Sequence, residues 1–579
     1  MKLQRRPFGV MLTLLVATSV AFAGCGGDDD EQASDKKQGT EDTAKTGEGT
    51  QSGGVSATSN DLNPMPRDQL RDGGTLTTAI AEFPPNFNAG HLDGSLADTA
   101  AVVGPLLGAP FVFDAAAQPV VNPDYVTSAK LTATEPKQVL TYVLNPKAIW
   151  YDGTPITWED YKWEWMAHNG TNPAYKVSST QGYDKIESVE RGKDDYEVVV
   201  TFSEPYTDWQ VLFSGLYPKS TNMDPAVFND GWKDKPLTTS GPFKLDNINQ
   251  TAQTITLVRN EKWWGRPAKL ERLIYRVIAI EAHVDALANK EIDYVDVGPD
   301  VNNLRRVEEI EGIDIRRAGG PNFRHLTING TGEVLSDVKV RRALGLAINR
   351  QTIAEAILKP LGVKAQPLNN HIFMLNQAGY EDNAGDLGTY DPEAAKALLD
   401  EAGWVEEGGV RKKDGKTLSI RIVIPSQVPV SEQEATIVRA MLEVVGVKLE
   451  IDTVPTAGFF DQYIKKGDFD ITLFSWIGTP FPVSSTRSIY GQPEGDAVQQ
   501  NYGRIGGDKI DMLYEEATRE FDREAQMDMA NQIDTLIWEN VHSLTFYQRP
   551  EIVAVRENLA NFGASGFASV PIEDVGYVK

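Results

Sequence analysis

The chain has 579 residues, a formal net charge of −26 and a single cysteine. Such acidity repels phosphate backbones and anionic lipid headgroups, which disfavours nucleic-acid partners. One cysteine excludes an internal disulfide, Cys-rich zinc sites, CxxC redox motifs and iron–sulfur clusters, and a chain of this length exceeds one hydrophobic core, so two or three lobes are expected.

Lys2, Arg5 and Arg6 form a positive n-region, Val10 to Phe22 is mostly apolar, and Ala23-Gly24 are small residues ahead of Cys25. This is the pattern of a secretory signal, too short and wrongly flanked for a membrane-spanning helix. Residues 1–24 are read as the signal peptide. Its removal takes away three positive and no acidic residues and moves the formal net charge to −29. Phe22-Ala23-Gly24-Cys25 resembles a bacterial lipobox, with Phe22 where Leu or Val is usual. The resemblance implies that Cys25 carries lipid and is the only attachment to the cell membrane. Residues 25–69 begin with an almost wholly polar stretch that cannot offset its ordering entropy, and are read as a disordered tether. No later apolar run reaches spanning length.

Beyond the tether, strand and helix signals alternate, which argues for an α/β class. Thr75–Ala81, Val139–Leu144, Val198–Phe202, Thr254–Val258, Leu273–Val277, Leu418–Ile424, Val447–Thr453 and Asp470–Phe474 read as strands from β-branched content or alternation. Asp152-Gly153 predicts a tight turn. Thr157, with Asp160 three residues on, starts a helix whose Trp158, Tyr161 and Trp165 share helical spacing and are expected in the core. A helical stretch from Asp337 to Leu358 breaks near Asn349. Asp391-Pro392-Glu393 caps and starts another helix, with Ala395, Leu398, Leu399 and Ala402 as its apolar stripe and Gly403 as its stop. Asp522–Trp538 is a further long helix. Arg341 and Arg342 are expected in ion pairs or on a solvated face.

Motifs for catalysis are absent from the sequence. There is no G-x-S-x-G elbow, no H-E-x-x-H and no Gly-rich phosphate loop, and the six histidines are scattered. No catalytic residue, metal site or cofactor is therefore assigned. The numerous carboxylates leave a secreted hydrolase with an acidic cleft as the rival reading from another class.

Five segments in order carry a family resemblance. They are L-T-Y-V-L-N-P-K-A-I-W-Y-D-G-T-P-I-T-W-E-D at 140–160, S-G-P-F-K-L at 240–245 with R-N-E-K-W-W at 259–264, L-A-N-K-E-I-D-Y-V-D at 287–296, L-S-D-V-K-V-R-R-A-L-G-L-A-I-N-R at 335–350, and Y-D-P-E-A-A-K-A-L-L-D-E-A-G-W at 390–404. Together they resemble the dipeptide/oligopeptide-binding type of extracytoplasmic solute-binding proteins, family 5, across roughly 75–579. The resemblance implies a type II, cluster C periplasmic-binding-protein-like clamshell. One discontinuous lobe would hold 70–95, 215–318 and 545–579, an inserted region 96–214, and a second lobe 319–544, with hinges at Gly319, Gly320 and Leu544. It implies a monomer that closes on a peptide or peptide-like small molecule and delivers it to the permease of an ABC importer.

Two segments are expected to face the ligand: Glu82, Phe83, Asn86 and Phe87 after the first strand, and Trp476, Ile477, Gly478 and Thr479 after the strand from Asp470. Loops at strand ends are where α/β clefts place their contacts. The second segment resembles the family's Gly-Trp-type element, in which peptide-binding members carry an Asp for the ligand's α-ammonium group. Thr479 stands there instead. Either another carboxylate such as Glu82 takes that role, or the solute is an oligosaccharide, a modified peptide or a metal chelate.

Overall fold

In a computed structural model of the chain the described residues are 60–456, 458–493 and 498–579. The expected signal peptide, Cys25 and the tether up to residue 59 lie outside them. The described residues divide into two compact units, 72–111 with 123–283, and 60–71 with 112–122 and 284–579.

The first unit holds two four-stranded sheets. Strands β1 (Thr75–Ile80), β2 (Val126–Ala133), β3 (Val139–Leu144), β4 (Ile186–Arg191), β5 (Glu197–Phe202), β6 (Phe243–Asn249), β7 (Thr254–Arg259) and β8 (Arg272–Val277) follow in chain order. Their order is β1-β8-β7-β6 in one sheet and β2-β3-β5-β4 in the other. The alternation that marks β3 and β5 has a direct structural reading. Leu140 faces Val200 and Tyr142 faces Val198 across the ladder, and all four are buried. Removing such side chains from water contributes about 1.5–3 kcal/mol each. At the turn after β3, Gly153 has φ 95° and donates its N–H to the Trp150 carbonyl at 2.8 Å, a backbone position that suits glycine.

Helix α1 (Trp158–His168) departs from expectation. Its start is as predicted, with the Thr157 N–H donating to Asp160 Oδ2 at 2.8 Å. Of the three aromatics, however, only Tyr161 is buried, while Trp158 and Trp165 are half-buried. The buried line is instead polar: Asp160, Glu164 and His168. Asp160 accepts from the Trp150 indole and the Lys219 N–H, and Glu164 from the Asn222 amide at 2.7 Å. These donors satisfy carboxylates that a helix face would otherwise expose to water.

The second unit is built on a six-stranded mixed sheet. Its strands are β9 (Tyr294–Asp296), β10 (Ile313–Ile328), β11 (Ser419–Pro425), β12 (Lys448–Val454), β13 (Ile471–Ile477) and β14 (Ser543–Arg556), in the order β9-β14-β10-β13-β11-β12. Strands β10 and β14 pair from Ile313↔Arg556 to Thr327↔Ser543, with the register interrupted between Gly319 and Phe323. Residues 284–318 and 545–579 thus share this sheet with strands from 319–544.

Helices pack around the sheet where the capping signals put them. Asp337 caps α2 (Val338–Ala347), which ends at its C-cap Ile348, and the next residue, Asn349, caps α3 (Arg350–Leu358). Asp391 caps α4 (Pro392–Glu401), which buries Ala395 and Leu399; Gly403 follows at φ 85°. Next come α5 (Pro429–Val444), α6 (Pro482–Tyr490) and α7 (Arg523–Asn540), the last capped by Asp522. Arg341 corrects the sequence reading. It is buried and donates to the carbonyls of Leu335, Ser336 and Asn540 rather than to a carboxylate.

Residues 60–69, counted with the tether from composition, are held in this unit. Asp61 bridges Ala564, the Met65 N–H donates to Asn561 Oδ1 at 2.7 Å, and Arg67 pairs with Asp574. Their polar side chains serve as bonding partners, which composition alone reads as solvation.

Candidate functional site

The segment Trp476–Thr479 leaves the end of β13, and its neighbours are set by strand register. Trp476 lies opposite Phe323 and Phe474 opposite His325. Side chains alternate across a strand, so Phe474 and Trp476 turn inward while Ile477 is 42 % exposed. The Trp476 ring lies nearly parallel to Tyr502 at 5.7 Å and to His325 at 5.9 Å, with Phe474 edge-on at 5.1 Å. Trp476 retains 8 % exposure within this aromatic cluster. His325 is fully buried and bonds Thr327 through Nε2 at 2.8 Å. Burial, reinforced by the neighbouring Arg324 charge, pushes its pKa well below the ordinary histidine value, so the ring is neutral.

The two residues after Ile477 are fixed by backbone contacts. The Gly478 N–H donates to the Pro321 carbonyl at 2.7 Å. A Cβ on Gly478 would lie 2.8 Å from that same oxygen, a contact only glycine avoids. Thr479 places Oγ1 3.0 Å from Ser485 Oγ, and its carbonyl accepts from Gln377 Nε2 at 2.8 Å. Thr479 therefore presents a hydroxyl and no charge.

The first unit carries the other expected segment. Glu82 is exposed and Phe83 half-buried, while the N–H groups of Ala81 and Glu82 both donate to Asp98 Oδ2. Asn86 and Phe87 are buried. The Asn86 amide donates to the Asn229 carbonyl at 2.9 Å and its oxygen accepts from the Asn88 N–H. The Phe87 carbonyl accepts from Tyr217 Oη. Asn86 and Phe87 thus fasten the loop inside its unit, leaving Glu82 and Phe83 nearest to solvent.

The proposed hinge residues all lie in the long strand pair. Gly319 faces Pro550 at the edge of the register interruption, and Leu544 faces Leu326. The Gly320 carbonyl accepts from Gln548 Nε2 at 2.7 Å.

Sequence reasoning missed a buried polar network beside Phe323. Arg324 pairs with Glu434 of α5, Ser431 Oγ accepts from Arg324 at 3.1 Å, and Tyr547 Oη donates to Glu434 Oε1 at 2.6 Å. Burial works against the Arg324 charge, but Glu434 outweighs it and the guanidinium pKa moves up. Burial, then Glu434, pushes the Tyr547 phenol well above its ordinary value. The partners are separated by 107 residues and more, and no local motif announces them.

Among the described residues no group of three or more His, Cys, Asp or Glu side chains is placed to hold a metal ion. No helix among them is long and apolar enough to cross a membrane.

The family described as bacterial extracellular solute-binding proteins, family 5 Middle, matches residues 120–497. The oligopeptide-binding protein OppA of Mycobacterium tuberculosis is 40 % identical over 526 residues, covering 90 % of this chain and 88 % of that protein. Among solved structures, the periplasmic EDTA-binding protein EppA superposes with a TM-score of 0.78 at 26 % identity, covering 91 % of this chain and 99 % of its own. The oligopeptide-binding protein AppA of Bacillus subtilis, in complex with a nonapeptide, gives a TM-score of 0.66 at 22 % identity, covering 88 % and 100 %. The two-lobe α/β fold of these binding proteins is the fold class expected from the sequence. With the five sequence blocks, the six-stranded sheet and the matched family in register, this chain belongs to family 5 of the bacterial extracellular solute-binding proteins.

Proposed function

We propose that this chain captures peptides outside the cytoplasm and delivers them to the permease of an ABC importer. The observation that carries this reading is the 40 % identity to an oligopeptide-binding protein along nearly the whole of both chains. Its relatives are solute-binding proteins of transport systems, and we assign the chain no catalytic role. Closure of the lobes about Gly319, Gly320 and Leu544 would hold the solute, with Glu82, Phe83, Trp476, Ile477, Gly478 and Thr479 as contacts. The division into 70–95, 215–318 and 545–579, the insert 96–214 and the lobe 319–544 belongs to the same proposal. So do lipid attachment at Cys25 and action as a monomer.

A second reading is favoured by Thr479. Burying an ammonium group without a charged partner costs several kcal/mol, and a structural relative at 26 % identity binds EDTA. A carboxylate-rich chelate is therefore the alternative solute. Native mass spectrometry of the protein purified from its host, followed by calorimetric titration with the co-purified compound, decides between them. A bound peptide supports the first reading, and a metal chelate or sugar replaces it.

A further inference from the structure

A two-stranded hairpin (Phe111–Phe113 with Pro119–Val121) carries a short, closed tip. The Asp114 N–H donates to the Gln118 carbonyl and the Ala117 N–H to the Asp114 carbonyl, both at 3.0 Å. Asp114 Oδ1 accepts from the N–H groups of Ala116 and Gln118 at 2.9 and 2.8 Å. Ala117 sits at φ 62°, a left-handed position that a residue with a side chain adopts at a cost. It is 1 % exposed, in the buried apolar cluster that also holds Phe323, Met374, Trp476 and Phe567. Residues 112–122 belong to the second unit, although the chain before and after them, 72–111 and 123–283, builds the first. Both ends of the hairpin lead out of the unit that holds it, so non-covalent contacts alone keep it seated.

The seat adjoins the segment at the end of β13. Phe113 exchanges two hydrogen bonds with Ser569: its N–H donates to Ser569 Oγ at 2.7 Å, and its carbonyl accepts from the Ser569 N–H at 2.8 Å. The Phe113 ring meets Phe481 edge to face at 5.8 Å, a favoured geometry for aromatic pairs. Phe481 stands two residues beyond Thr479. The Arg523 guanidinium lies 5.3 Å from the Phe481 ring centre and donates to the Pro480 carbonyl at 3.4 Å. Each residue from Gly478 to Phe481 is thus held by a partner, in turn Pro321, Gln377, Arg523 and Phe113. The hairpin supplies the last of these. A solute resting on Trp476–Thr479 orders the same short segment from its other end. Two events that order one segment share its entropy cost, so each is easier once the other has happened.

We propose that hairpin 112–122 is a strap, and that its seating on Ser569 and Phe481 and the binding of solute at Trp476–Thr479 strengthen each other. Phe113 and Ser569 then act as positioning residues, on the reading above that Trp476–Thr479 meet the solute. The coupling is reciprocal, as linkage requires: solute tightens the strap, and the seated strap tightens the hold on solute.

Amide hydrogen exchange in the full mature chain, with and without a saturating mixed library of three- to nine-residue peptides, tests this. Amides of 474–481 and of 112–122 should both exchange more slowly with peptide, the latter by about 5- to 150-fold, the usual span of coupling between sites. The paired change Phe113→Leu with Ser569→Ala unseats the hairpin while keeping an apolar side chain at 113. It should weaken peptide binding within the same range, through faster dissociation, at an unfolding temperature close to wild type. Ser569→Thr alone keeps the hydroxyl and should keep wild-type affinity. Slower exchange at 474–481 with no change at 112–122 overturns the strap and leaves the solute contacts standing. Wild-type affinity in the paired variant, with its 112–122 amides exchanging freely, does the same. Peptide binding that alters neither segment removes both. If the paired variant fails to fold or stays seated, the wild-type exchange decides alone. If no peptide binds, the peptide reading falls and citrate and EDTA replace the library, and unslowed exchange at 112–122 then overturns the strap.

Discussion

Arg324 and Glu434 form an ion pair inside the second unit, joining β10 to α5, with both side chains almost completely removed from solvent. Ser431 and Tyr547 complete the hydrogen bonding of the pair. Removing one member leaves the other charge buried and uncompensated, the costly way to disturb such a pair. Glu434→Ala should lower stability by about 3–5 kcal/mol. Denaturant titration of both proteins measures it, and a loss below about 1 kcal/mol would mean that water reaches the site.

The aromatic cluster around Trp476 changes what a substitution there can reveal. With Phe323, Phe474 and Tyr502 packed about it, Trp476→Ala should destabilise the protein by about 3–5 kcal/mol. A change in solute affinity in that variant would be read through partial unfolding. Trp476→Phe keeps a ring in place and is the informative variant: near-wild-type unfolding temperature, with weaker binding if the indole edge touches the solute. Unchanged affinity would assign the residue to packing alone.

Thr479 permits a gain-of-function experiment. Thr479→Asp puts a carboxylate beside Ser485, where the wild type has only hydroxyls. Peptides with a free α-ammonium group should then bind more tightly than their N-acetylated counterparts by about 10-fold or more, given the strength of charge-assisted hydrogen bonds. Isothermal titration with matched pairs supplies the comparison. Equal gains for both members would show that the position does not meet the N-terminus.

Glu551 ties stability to pH. Burial pushes its carboxyl from 4.5 up to about 7 in the folded protein, against the opposing bond from the Gly566 N–H. Between those values the folded state holds a proton that the unfolded state has released, so stability falls as pH rises through this window and levels off above it. Glu551→Gln removes the titration. The unfolding temperature of the wild type relative to Glu551→Gln should be higher at pH 4.5 than at pH 8, and an equal difference at both would refute the assignment.

Much of the fold is legible because its signals are local. Alternation marks strands such as 139–144, and single caps mark helices, as when Asn349 begins a helix directly after Ile348 closes the one before. The polar interior is not local. Asp160, Glu164 and His168 have the spacing of a solvated helix face, and Trp150, Lys219, Tyr217 and Asn222, brought in by folding, supply the donors that let the two carboxylates turn inward. Arg341 is read as a surface cation for the same reason, since the Asn540 carbonyl lies 199 residues away. The aromatic segment at 474–479 is visible in sequence, whereas the Arg324 network depends on the pairing of β10 with β14 and on α5 packing against them.

The seam between residues 60–71 and the end of the chain has a consequence in time. Synthesis runs from the N-terminus, and Met65 meets Asn561 across 496 residues of sequence. At translation rates of 5–20 residues per second, that interval is on the order of 25–100 s. Throughout it, the contacts of Asp61 with Ala564, Met65 with Asn561 and Arg67 with Asp574 wait for their partners to be made. The earliest-made of the described residues are thus among the last to be fully fastened, and that fastening waits on the final twenty or so residues of the chain.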